Sequence, residues 1–169
     1  MDTIQALLTR RSIRKYTAQS ISNNTMQELI QAAMCAPSAG NQQPWHFVII
    51  DDKSILQQIT AFHPNASMLS EANKAILICG DEQLEKHKGY WMLDCSAATE
   101  NCLLAAHAYG LGACWLGMYP KQDRILKMRQ LLHLPDHVIP CSLIALGYPA
   151  EQKEPCKRFK KERIHNNSW

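Results

Sequence analysis

The stretch from Tyr90 to Tyr109 most restricts what this chain can fold into. It opens on Trp91-Met92-Leu93 and closes on Leu103-Leu104-Ala105-Ala106, with apolar residues on nearly every side of the helix it spells. A helix with so little polar surface needs protein around it, so it belongs at the centre of the fold. The apolar run extends from Met92 to Leu116, but Asp94, Glu100, Asn101 and His107 interrupt it. It therefore predicts a buried helix and not a membrane span. Gly110 and Gly112 are expected to stop it.

Shorter elements are arranged around that helix. Thr3 to Arg11 predicts a short helix with Ile4, Leu7 and Leu8 on one side. Ser22 is a natural N-cap for a second helix, in which Met26, Leu29, Ile30, Ala33 and Met34 recur at helical spacing. Pro37 ends it, and a polar loop follows. Strands are expected at Trp45 to Ile50, Lys74 to Cys79, Cys114 to Gly117 and Ile139 to Tyr148, with further helices at Ser54 to Phe62 and Gln122 to Leu132. No repeat or linker divides residues 1–169, which read as one domain. Helices and strands mix without a βαβ rhythm, so the fold class is α+β: a mixed central sheet flanked by helices around a long buried one.

Net charge is +3, with 46% hydrophobic residues. That balance argues against nucleic-acid and membrane partners, and the first residues lack the basic-then-apolar pattern of a secretory leader. The seven cysteines are odd in number, lack CxxC spacing and sit mostly in apolar runs, so they read as reduced, buried thiols of a cytoplasmic protein. No Cys/His group has metal-ligand spacing, and Pro135 between His133 and His137 keeps those two off one helical face.

Four segments carry candidate chemistry. Arg10-Arg11-Ser12-Ile13-Arg14 offers forked guanidinium donors and a hydroxyl suited to a phosphate dianion, although a solvated basic turn is the commoner origin of such a cluster. Residues 37–45, PSAGNQQPW, set Ser38, Asn41 and Gln43 between two prolines, with Gly40 allowing close approach. Composition alone divides evenly between a polar turn and a loop that reads the edge of a heterocycle. Residues 110–117, GLGACWLG, follow a helix instead of opening one, so a Rossmann phosphate loop is not supported; the segment could bring backbone N–H groups close to a flat ligand, but a helix stop leading into a strand is the favoured local reading. The basic run Lys157 to Arg163 reads as a solvated tail.

Taken in order, RRSIR, PSAGNQQPWHF, DCSAATENCLLAAHAYGLGACWLG, ALGYP and KRFKKERIHNNSW resemble the FMN-dependent nitroreductase family along nearly the whole chain, as a short member. The resemblance implies an intertwined homodimer with FMN at the interface and NADH or NADPH as electron donor. A hydride passes to flavin N5 and then, by ping-pong turnover, to a nitroaromatic, quinone or similar flat small-molecule acceptor. It implies phosphate and ribityl contacts from Arg10, Ser12 and Arg14, with Arg11 close by, and a second phosphate clamp from Lys157 and Arg158. Cys156 stands where the family often has lysine, so that role passes to Lys157 or is lost. Pro37, Ser38, Ala39 and Asn41 resemble the loop laid on the flavin by the other subunit, with Gln43 in the same segment. Asn65 is expected at the pyrimidine edge, and Leu116 and Gly117 beside N5 and O4. No catalytic side chain is implied, because the cofactor carries the chemistry. His46 is expected to be structural. The other readings are an FMN-binding protein without turnover, an enzyme that consumes reduced flavin, and a small basic binding module.

Overall fold

The structure, a computed structural model, describes residues 1–169. Five helices surround one sheet: α1 (Thr3–Thr9), α2 (Asn23–Met34), α3 (Lys53–Phe62), α4 (Trp91–Ala108) and α5 (Gln122–Leu132). The strands are β1 (Trp45–Ile50), β2 (Lys74–Asp81), β3 (Gly112–Gly117) and β4 (Val138–Gly147), in the order β1-β2-β4-β3. All three ladders are antiparallel. Parallel pairing, expected of a mixed sheet, is confined to a single bridge between Ser12 and Ala113.

The central strands β2 and β4 are buried on both faces, and side-chain alternation divides them between two cores. Ile76, Ile78, Ile144 and Leu146 join α2 and α4 on one side. Ala75, Leu77, Leu143 and Ala145 join α3 and α5 on the other. The result is three layers, helix–sheet–helix. Long apolar runs such as Ala75-Ile76-Leu77-Ile78 are what a strand covered on both faces requires.

The central helix runs from Trp91 to Ala108 and packs with Cys95, Ala98, Cys102 and Ala106 fully buried. Its one buried hydroxyl, Thr99, is satisfied by Ser142 Oγ at 2.7 Å and by the Cys95 carbonyl. The outer side, where Leu93 is exposed, is only partly covered within one chain.

Two boundaries differ from the sequence expectation for physical reasons. The first helix stops at Thr9 and not Arg11, because Arg10 leaves helical geometry and the next residues run alongside β3. Gly110, in the left-handed region at φ 75°, ends α4, but Gly112 is already the first residue of β3. A Cβ on Gly112 would lie 2.7 Å from Ile13 Cγ2, so this glycine serves the close approach of the N-terminal segment. As expected, the cysteines form no disulfide and five of the seven are buried, with burial pushing the Cys79 and Cys102 thiols up to about 12.

Candidate functional site: two adjoining clefts beside strand β3

Residues 12–16 behave as an extra strand against the sheet. Ile13 N donates to the Ala113 carbonyl at 3.0 Å, Thr17 N to Tyr148 O at 2.9 Å, and Ala150 N to Lys15 O at 2.9 Å. This pairing fixes the arginine-rich segment beside the edge strand β3 and next to the chain that leaves β4. The consequence is a cleft of about 240 Å³ lined by Arg10, Arg11, Ser12, Arg14, Lys153 and Arg158. Five cations and one hydroxyl line it, with no carboxylate among them.

Each wall of that cleft has an identifiable anchor. Arg10 Nε donates to Glu100 on α4 at 3.3 Å. Glu151 accepts from the Arg14 backbone N–H at 2.6 Å and pairs with Lys153 at 3.0 Å. The Lys153 ammonium also donates to the Ser12 carbonyl at 2.8 Å. Those hydrogen bonds, the Arg14 N–H first, hold the Glu151 carboxyl below the usual carboxylate range. Arg11 Nε is buried without a hydrogen-bond partner, a donor that ordinary folded interiors do not leave idle. Converging cations and an orphaned guanidinium donor fit a phosphate dianion, which accepts several charge-assisted hydrogen bonds at once.

Arg14 also lines a second cleft, of about 380 Å³, bordered by the end of β3. Its walls include His63 and Asn65 from the segment after α3, Leu116 and Gly117 from the end of β3, and Arg124 from α5. Trp115, more than a third exposed, adds an aromatic surface. The Gly117 carbonyl accepts from Arg124 Nη1 at 2.7 Å and from His63 Nε2 at 3.0 Å.

The loop at 37–43 lines neither cleft. It is nevertheless built with care. Gly40, Asn41 and Gln43 all adopt positive φ, near 50°, and a Cβ on Gly40 would strike the His87 ring. Such local strain needs compensation elsewhere. The compensation comes from Asp94, buried on α4, which accepts from Ala39 N at 2.9 Å and Gln42 Nε2 at 2.6 Å. Gln42 Oε1 in turn accepts from the Lys86 and His87 N–H groups. Pro37, Asn41 and Gln43 are left facing outward.

The structure thus brings Arg10, Arg11, Ser12, Arg14 and Arg158 to one cleft, and Asn65, Leu116 and Gly117 to its neighbour. Lys157 is exposed and lines neither. Lys153, four residues earlier, occupies the cationic cleft instead; its signal in the sequence was only its nearness to the end of β4. His63, Arg124, Gln42 and Asp94 carried no sequence signal, because each acts through contacts 30 or more positions away or across an element boundary. His46, read as structural, holds the Asp81 carboxylate at 3.0 Å.

A cleft lined by five cations, sharing Arg14 with a polar cleft at the end of β3, has the donors to bind an anion such as a phosphate. Comparison with known proteins gives the family. The family model described as "Nitroreductase family" matches residues 7–67 and 63–148. A Methanothermobacter thermautotrophicus protein named "Putative NADH dehydrogenase/NAD(P)H nitroreductase" is 46% identical over 169 residues, spanning all of this chain and 88% of that one. The crystal structure of a Parabacteroides distasonis protein of the same name superimposes with a TM-score of 0.95 at 41% identity, covering 99% of this chain and 98% of the other. An FMN-dependent nitroreductase from Clostridium difficile superimposes with a TM-score of 0.91 at 27% identity, covering 98% and 99%. The chain belongs to the nitroreductase family.

Proposed function

We propose that this protein is an FMN-dependent NAD(P)H oxidoreductase that works as a homodimer and passes electrons to a flat small-molecule acceptor. The observation that carries the reading is the 240 Å³ cleft lined by five cations, of which Arg11, Arg14 and Arg158 have no carboxylate partner, sharing Arg14 with a second cleft of about 380 Å³. When bound, FMN supplies the two-electron chemistry that no side chain here can supply.

The chain's own residues bind and orient. Arg10, Arg11, Ser12, Lys153 and Arg158 hold the phosphate. Arg14, which lines both clefts, would add positive charge that favours the extra negative charge a bound flavin gains on reduction. Asn65 would meet the pyrimidine edge, and the Leu116–Gly117 backbone would lie beside N5 and O4. Pro37, Ser38, Ala39, Asn41 and Gln43 face the second copy's cleft, which accounts for a rigid, outward-facing loop that serves no cleft of its own chain. Donor and acceptor then use the same open face in turn, in ping-pong order.

The test is a visible spectrum of the purified protein, followed by anaerobic addition of NADH and of NADPH. A yellow protein that bleaches with either nucleotide, and regains colour with a quinone or nitroaromatic, supports the reading. A protein that keeps its colour with both nucleotides stores flavin or uses flavin reduced elsewhere. A colourless protein that takes up no added FMN ends it.

A further inference from the structure

His63 connects two segments that the proposed flavin site needs to hold together. It follows α3, is 2% exposed, and lies between the Asn65 turn and the last residue of β3. Asn65 N–H points at His63 Nδ1 at 3.3 Å, so Nδ1 must be the lone-pair nitrogen. The proton then sits on Nε2, which donates to the Gly117 carbonyl at 3.0 Å. One neutral tautomer satisfies both bonds, and the imidazolium would lose the first. Arg124 reaches the same carbonyl from α5 at 2.7 Å. Its Nη1 lies 3.3 Å from His63 Nε2 because both donors aim at one oxygen. Arg124 has no carboxylate partner, so its place is set by this carbonyl.

From this geometry we infer that His63 and Arg124 are positioning residues, a two-donor clamp that sets the Gly117 peptide and the Asn65 turn at the ring end of the second cleft. The inference rests on the FMN reading above. The N–H of the clamped peptide, on Met118, already donates to the Cys141 carbonyl at 3.1 Å. The donor the clamp holds in direction is the adjoining Gly117 N–H, which alternation along the β3–β4 ladder turns away from β4. A fixed donor stabilises developing charge better than a mobile one. The clamp therefore favours reduced flavin over oxidised flavin, without either side chain having to touch the ring. His63 also needs to stay neutral beside a guanidinium, which suits an enclosed imidazole.

The experiment compares wild-type holoprotein with Arg124→Met, Arg124→Lys, His63→Leu and the Arg124→Met/His63→Leu double variant. FMN affinity and the two-electron midpoint potential are measured for each. Arg124→Met is expected to weaken reduced FMN about tenfold more than oxidised FMN, which lowers the potential by about 30 mV. Arg124→Lys restores most of the shift, and the double variant falls short of the sum because both donors serve one oxygen. Folded single variants with the wild-type potential would overturn the clamp while leaving FMN binding intact. A wild-type protein that binds no FMN would instead remove the reading beneath it. Nitrogen-15 NMR of the wild-type apoprotein decides the matter even if the variants do not fold: the clamp requires His63 protonated on Nε2 alone, and a proton on Nδ1 rules it out.

Discussion

Lys153 and Lys157 stand four positions apart in the same tail, and only one of them meets the cationic cleft. Lys153 is held there by the Ser12 carbonyl and Glu151, so its charge is already placed and little entropy is lost when an anion arrives. Lys157 is exposed and unplaced. Lys153→Met is therefore expected to weaken FMN binding roughly ten- to a hundredfold, the worth of one charge-assisted hydrogen bond of about 1.5–3 kcal/mol. Lys157→Met should change it by about twofold at most, as exposed substitutions do. Fluorescence titration of the apoprotein with FMN measures both. A second expectation concerns acid. Burial first, then the Arg124 charge, holds His63 below its ordinary value of 6.5, with the Gly117 hydrogen bond and Asp123 opposing. Burial and Arg10 do the same to His107. Below 6.5 the unfolded chain binds protons that the native protein refuses, so stability is full above that value. It declines as pH falls from there to the depressed native values, then levels off as far as these two groups are concerned. Urea midpoints measured between about pH 8 and pH 5 should show the decline, and His63→Leu should flatten it.

At the scale of elements, what could be read from the sequence depended on how local the cause was. The strand Trp45–Ile50 and the helix Gln122–Leu132 lie where spacing placed them, and Ser22 caps α2 through the Thr25 N–H. These depend on neighbours within one turn or one pleat. The end of α1 and the use of Gly112 were not legible, since both follow from the 10–16 segment pairing with strands about a hundred residues distant. The loop at 37–43 is an intermediate case. Its prolines and Gly40 announced a constrained turn, but the constraint comes from Asp94 and Gln42 through contacts some fifty residues apart. Gln42→Ala leaves the Asp94 carboxylate short of one donor and two backbone N–H groups short of an acceptor. It should cost about 1.5–3 kcal/mol or more in urea unfolding. FMN retention should fall with it, as the proposed place of this loop over a second copy's cleft requires.

For the whole molecule, the uncovered apolar surface carries the expectation of a dimer. Ile4, Leu7 and Leu8 on α1 are each at least half exposed, as are Leu93 on α4 and Phe159, Ile164 and Trp169 in the tail. Large apolar side chains left open to solvent are the surface that the proposed dimer would cover. Sedimentation should give a species of twice 19.2 kDa, and deleting residues 156–169 should weaken both the dimer and FMN binding, since Arg158 leaves with the tail. No helix is long and apolar enough to cross a membrane. By itself the sequence determined the α+β class, the long buried helix and the cationic N-terminal segment, because hydrophobic period and charge are properties of neighbouring residues. Only the tertiary structure decided which lysine lines the cationic cleft, which histidine holds Gly117 and which carboxylate braces the loop. Those roles depend on distances between residues far apart in the chain, and such distances exist only once the layers have packed.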